Sequence, residues 1–273
     1  LDLNTLGFRN EELKLIYQLL SKPNGIILVT GPTGCGKTTT LYSVLNYLND
    51  VETKIITTED PVEYDIGGLI QVQINPSIGV DFANCLRTIL RQDPDIILVG
   101  EIRDEETARI AIQASLTGHL VFSTLHTSDS PTALTRLTDM GIKPYLIAAT
   151  LEAVISQRLV RKICSSCKEE YKPSDRFLKD LNLTSGDIKG NKIFRGRGCG
   201  NCHNTGYRGR IGIYEILVIN DEIRKLIIEQ VNTSAIRTAA KRSGMMTLRD
   251  SGLIALYNGL TTVEEVTRET IYK

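Results

Sequence analysis

Residues 31–38 read Gly-Pro-Thr-Gly-Cys-Gly-Lys-Thr, the complete spacing G-x-x-x-x-G-K-[ST], directly behind the apolar run Ile26–Val29. A Gly-rich turn between a strand and a helix aims backbone N–H groups and a helix N-terminus at a polyphosphate. Gly31, Pro32, Thr33, Gly34, Cys35, Gly36, Lys37, Thr38 and Thr39 are therefore the predicted nucleotide contacts. Lys37 is expected at the terminal phosphates and Thr38 on Mg²⁺.

A nucleotide site also needs carboxylates, to place the metal ion and the attacking water. The run Asp95–Gly100 buries four apolar residues and ends on Glu101, which emerges at the C-terminal edge of a predicted strand. Open α/β sheets bind ligands at that edge, so Glu101 is expected to hold Mg²⁺ through water or to polarise the attacking water. A second acidic cluster, Glu59-Asp60-Pro61-Val62-Glu63, follows the predicted strand Lys54–Thr58. Pro61 stiffens that turn and biases Asp60 away from helix, and Glu63 is the first choice for general base. A solvated acidic turn is the competing reading. His119 and His126 flank a third predicted strand, Leu120–Thr124, at opposite ends and on opposite faces. They cannot form one metal site locally. His126 is placed to touch the γ-phosphate, whereas His119 faces a neighbour or a carbonyl.

Cys164-Ser-Ser-Cys167 and Cys199-Gly-Asn-Cys202 are two C-x₂-C pairs separated by 31 residues. Each suits a knuckle whose thiolates share one tetrahedral Zn²⁺, with His203 as a competitor for one ligand place. Disulfides are the alternative, disfavoured in a reducing cytoplasm. Lys189, Lys192, Arg195, Arg197, Arg208 and Arg210 surround the second pair. This basic stretch is read either as a docking face for an acidic partner or anionic lipid headgroups, or as a solvated charge run.

These groups need a scaffold. Short β-branched runs (Ile26–Val29, Lys54–Thr58, Ile70–Ile74, Asp95–Val99, Leu120–Thr124) alternate with helical patterns at Thr38–Leu48, Phe82–Leu90, Glu105–Leu116, Ser130–Met140 and Pro144–Leu159. The alternation predicts an α/β fold with a mainly parallel sheet, a RecA-like P-loop core. Past Ile213 the apolar spacing turns helical, with Gly244 and Gly259 as stops. The expected divisions are a linker and helix at 1–24, the core at 25–163, a four-cysteine module at 164–210 and a helical subdomain at 211–273. With 32 basic and 32 acidic residues among 273, no overall field drives the chain onto nucleic acid. Only 5% of residues are aromatic, which argues against a base-stacking platform and so against a nucleic-acid translocase. A nucleotide-binding subunit that does not hydrolyse is the other rival. No apolar run approaches the roughly 18 residues that span a bilayer, and a cytoplasmic site is expected. The start at Leu1 without Met, entering a helical pattern at once, suggests a piece of a longer protein.

The phosphate loop, Thr58–Tyr64, Leu90–Asp95 running into Gly100–Asp104, Leu116–His119 with Leu125–Thr127, and Gly259–Val266 together resemble the secretion ATPases of type II secretion and type IV pilus assembly. In that family the first four blocks are called Walker A, Asp box, Walker B and His box. The resemblance implies a homo-hexameric ring that hydrolyses ATP with Mg²⁺. Such a ring moves pilin or pseudopilin subunits at the cytoplasmic face of the inner membrane, against platform proteins there. It implies paired catalytic roles for Glu63 and Glu101, adds Arg103 to the site, and raises both His119 and His126. Assembly and secretion members carry the zinc module, and retraction members lack it. Cys35 departs from the more usual Ser and is expected to be sensitive to alkylation.

Overall fold

The computed structural model describes residues 1–173, 179 and 192–271. Its strands are β1 (Gly25–Thr30), β2 (Ile55–Glu59), β3 (Ile70–Gln73), β4 (Ile96–Val99), β5 (Leu120–Leu125), β6 (Leu151–Ile163), β7 (Lys168–Glu170), β8 (Phe194–Gly196) and β9 (Tyr207–Val218). The α-helices are α1 (Asn10–Leu20), α2 (Lys37–Leu48), α3 (Phe82–Ile89), α4 (Glu105–Leu116), α5 (Ser130–Asp139), α6 (Pro144–Thr150), α7 (Asp221–Ile228), α8 (Thr233–Arg242), α9 (Leu248–Tyr257) and α10 (Val263–Thr270).

The chain divides into two units, residues 1–156 with 216–245, and residues 157–215 with 246–273. The division runs through β6 and β9 and differs from the boundaries expected from sequence. Residues 216–245 belong with the core, and 246–273 belong with the cysteine module.

In the first unit a sheet runs in the order β3-β2-β4-β5-β1-β6-β9, with β1–β5, β1–β6, β2–β3, β2–β4 and β4–β5 all parallel. Every residue of β1, β2, β4 and β5 is buried. Strands covered on both faces by helices read as continuous apolar runs, so Ile-Ile-Leu-Val recurs in β1 and β4. Each such side chain, fully buried, contributes on the order of 1.5–3 kcal/mol. Because the strands are parallel, the segments after Thr30, Glu59, Val99 and Leu125 leave one edge together.

Aspartates then start the helices that follow. Asp104 Oδ1 accepts from Thr107 N at 2.8 Å, and Asp129 Oδ1 accepts from Thr132 N at 2.9 Å, so both loops after β4 and β5 end on a capped helix.

The predicted helix Pro144–Leu159 is corrected. Helix α6 ends at Thr150 and the chain continues as β6, whose Ala153, Val154, Ile155 and Ser156 pair with Ile27–Thr30. The helical spacing there is overruled by a place beside β1 that buries both faces, and Val154 and Ile155 suit it. Likewise the helical region past Ile213 begins only at α7, because β9 extends to Val218.

In the second unit β7 and β8 form an antiparallel pair, Lys168 opposite Gly196 and Glu170 opposite Phe194. Its apolar cores gather Ile193, Leu256, Val263 and Val266, and Val160, Ile213, Leu248 and Ala255. Glu265 is buried and accepts from Arg161 Nε and Nη2 at 2.9 and 2.7 Å, from the Arg161 backbone N–H at 2.8 Å and from Arg268 Nη2 at 2.8 Å.

Candidate active site

Between β1 and α2, Gly31, Gly34 and Gly36 take φ of 146°, 79° and 88°, a region from which side-chain-bearing residues are largely excluded. Gly36 occupies the N-cap of α2, so no side chain competes for the first N–H groups of that helix. Lys37 Nζ donates to Gly31 O at 2.9 Å and to Pro32 O at 3.1 Å, folding back over its own loop. Pro32, Thr33, Thr38 and Thr39 are exposed. Cys35 is only 4% exposed, so the expectation of an alkylation-sensitive thiol is corrected: the turn packs it inward.

Glu101 leaves β4 at the same edge. Gly100 N donates to Thr58 O at 2.7 Å, Thr124 Oγ1 donates to Gly100 O at 2.8 Å and Ile102 N donates to Thr124 O at 3.1 Å, which brackets Glu101 from both neighbouring strands. Its side chain is 13% exposed, and Oε2 lies 2.5 Å from Arg103 Nε and 3.7 Å from His126 Nε2. Oε2 is buried against the Arg103 guanidinium. The Glu101 carboxylate holds the Arg103 guanidinium above its ordinary value.

Glu63 is exposed, on the loop that follows β2 and the cis Asp60–Pro61 bond. Its N–H donates to Tyr42 Oη at 3.2 Å. Glu59, which opens the same acidic cluster, is only 4% exposed and takes hydrogen bonds from Tyr42 Oη, Thr57 Oγ1 and Gln71 Nε2. Sequence reasoning did not single out Glu59 or Tyr42. The signal available was a tyrosine inside the helix after the phosphate loop. His119 lies at the other end of β5, with its Nδ1 2.8 Å from Ala114 O and 3.2 Å from Thr117 Oγ1. The fold thus groups Arg103 and His126 around Glu101, and carries Lys37, Thr38 and Glu63 out at the same sheet edge. It leaves His119 at the opposite edge.

In the second unit Cys164, Cys167, Cys199 and Cys202 place their sulfurs within 4.8 Å of one another. Three of the separations are 3.9, 3.8 and 3.7 Å. Tetrahedral Zn–S bonds of about 2.3 Å set sulfurs about 3.8 Å apart, so the cluster fits zinc. Burial opposes ionisation of Cys202, but N–H groups of Cys199 and Gly206 and the neighbouring thiols outweigh it and hold the thiol below its ordinary value, while burial pushes Cys167 up. His203 is exposed and not among the four. Of the basic stretch, Lys192 pairs with Glu170 and Arg195 with Glu169, while Arg197, Arg208 and Arg210 are exposed. Lys189 lies outside the described residues.

A mainly parallel sheet with a glycine-rich phosphate loop after an interior strand, and carboxylates on adjoining strand ends, defines an α/β P-loop nucleotide-binding protein. Residues 1–268 match the family described as Type II/IV secretion system protein. The chain belongs to that family. It is 49% identical over 270 residues to the type IV pilus assembly ATPase PilB of Thermus thermophilus, covering 99% of this chain and 30% of that protein. It is also 49% identical to the type II secretion system protein E of Pseudomonas aeruginosa, covering 99% of this chain and 53% of that one. The chain thus spans about a third to a half of the length of these relatives. Among solved structures, the pilus retraction motor PilT with bound ADP superposes with a TM-score of 0.72 at 29% identity, covering all of this chain and 67% of that one. Among the described residues, no helix is long and apolar enough to cross a membrane.

Proposed function

We propose that the chain hydrolyses ATP to ADP and phosphate and supplies the power stroke of pilus or pseudopilus assembly. In this reading it acts as a homo-hexamer at the cytoplasmic face of the inner membrane, against platform proteins there. The observation that carries the reading is the emergence, at one sheet edge, of the Gly31–Thr38 loop and of Glu63, Glu101 and His126. Loop amides, the α2 N-terminus and Lys37 bind the phosphates. Glu63, open to solvent, takes the proton of the attacking water. Thr38 and Glu101 would hold Mg²⁺, whose Lewis acidity neutralises charge on the phosphate oxygens. Arg103 and His126 fix the Glu101 carboxylate from two sides, and His126 is the group placed to respond when the γ-phosphate leaves. His119, at the opposite edge, serves a neighbouring surface rather than the chemistry of its own site. The four cysteines hold Zn²⁺ as a structural ion. The exposed Arg197, Arg208 and Arg210 offer a face for anionic lipid headgroups or an acidic partner.

Phosphate release by the assembled protein tests the reading. Lys37→Ala should abolish nucleotide binding, and Glu63→Gln should bind ATP and release phosphate at least about 10²-fold more slowly. A wild type that binds ATP as a hexamer but releases no phosphate would favour the non-hydrolysing subunit.

A further inference from the structure

The acidic loop that carries Glu63 is tied to the phosphate-loop helix by a buried network that the proposed chemistry leaves unused. Tyr42 sits on α2, fully buried, five residues past Lys37. Its hydroxyl proton is directed at Glu59 Oε2, which leaves the oxygen lone pairs to accept the Glu63 N–H at 3.2 Å. The Tyr42 ring meets Tyr64 edge-on, centroids 4.8 Å apart. From the other side Gln71 on β3 donates to Glu59 Oε1 at 3.0 Å and accepts from Ile66 N at 2.7 Å. Thr57 supplies the third donor to Glu59. Three donors converge on one buried carboxylate, and its demand for them fixes the polarity of the Tyr42 hydroxyl. A hydroxyl turned the other way would point its proton at the Glu63 N–H.

We propose that Tyr42 and Glu59 are positioning residues for Glu63: the hydroxyl, oriented by the Glu59 carboxylate, clamps the Glu63 backbone to the helix that binds the phosphates. The proposal rests on the reading of Glu63 as general base. Burial first, then the Glu59 hydrogen bond, push the Tyr42 hydroxyl well above its ordinary range, so it remains a protonated donor throughout neutral pH. Glu63 therefore takes its place relative to the phosphate loop from α2 itself, and not from the exposed side of its own turn. A misplacement on the scale of 1 Å can slow a reaction about 10²-fold, enough for the clamp to matter to turnover.

Tyr42→Phe removes the hydroxyl and keeps the ring against Tyr64. In the purified protein it should lower kcat by about 10-fold or more while the dissociation constant for Mg·ATP changes less than about two-fold. Amide hydrogen exchange in the peptide 60–66 should quicken. Coupled to Glu63→Gln, it should slow turnover no further than Glu63→Gln alone. Wild-type kcat and exchange in Tyr42→Phe, or losses that multiply in the double variant, overturn the proposal. Glu63→Gln turning over at the wild-type rate overturns the general-base reading instead. In that case the exchange rate of 60–66 still decides whether Tyr42 holds the loop.

Discussion

Gly100 stands one residue before Glu101, just past the paired ends of β2 and β4 at the site edge. A Cβ added there would lie 2.8 Å from Thr58 O, 3.3 Å from Phe82 Cε1 and 3.4 Å from Glu59 Cα. The first contact is about 0.5 Å short of the roughly 3.3 Å at which carbon and oxygen ordinarily meet. It cannot be relieved by a rotamer change, because Thr58 O is a backbone atom that accepts from Gly100 N. Gly100→Ala must therefore part the two strand ends, at a cost of about 1–3 kcal/mol. In a unit of this size that lowers the melting temperature by about 2–12 °C. The same displacement moves Glu101 and the Glu59–Glu63 segment apart by a few tenths of an ångström, so kcat should fall about 10-fold. Gly67→Ala is the control, since nothing lies within 4 Å of an added Cβ there and no positive φ constrains it. That variant should melt unchanged or slightly higher, from the reduced freedom of its unfolded chain. Differential scanning calorimetry and phosphate release on both variants decide the matter. A Gly100→Ala protein with the melting temperature and turnover of the wild type refutes the argument that this backbone crossing sets the spacing of the acids.

The purified protein should hold one Zn²⁺ per chain by elemental analysis, and Cys202→Ser should lose it together with the fold of the cysteine module. Binding of about 10–16 kcal/mol is typical of such sites, so less than about 0.2 zinc per chain in protein purified without chelator counts against the assignment. Asp129 is held below its ordinary value: burial opposes this, and Thr132 and Arg237, the latter at 2.8 Å, outweigh it. Stability from this group is present above the unfolded carboxylate value near about pH 4 and lost as pH falls through the lowered folded value. Arg237→Met should therefore move the acid-unfolding midpoint to higher pH and lower neutral stability by about 1–3 kcal/mol, and equal midpoints in denaturation series from pH 3 to 7 exclude it.

What could be read from the sequence was whatever local spacing determines. The phosphate loop carries its own backbone requirement in three glycines, and the strands before Gly31 and Gly100 share the short apolar run Ile-Ile-Leu-Val that suits a doubly covered sheet. The paired cysteines likewise declare a four-sulfur cluster, although 31 residues of sequence say nothing of how the pairs meet. The second half of the predicted helix Pro144–Leu159 failed for the opposite reason. Leu151–Ile163 has apolar spacing compatible with either period, and its state is decided by the open side of β1, which is remote in sequence. Residues 216–245 return to the core for a similarly non-local reason: Ile219, Ile223, Ile227 and Ile236 find their partners there.

The acids of the site show how burial divides labour that sequence leaves undivided. Glu59 and Glu63 share one five-residue cluster and one side-chain chemistry. Glu59 is 4% exposed and held by three donors, so its carboxylate is kept from solvent water. Glu63 is exposed and restrained only through its backbone, so its carboxylate remains available for proton transfer. Glu101 lies between these extremes, with one oxygen buried beside Arg103 and His126. In the proposed mechanism a base that accepts and releases a proton every cycle cannot also be the fixed anion that orients Tyr42, so the two roles fall to two glutamates, and the one at the strand end is the buried one.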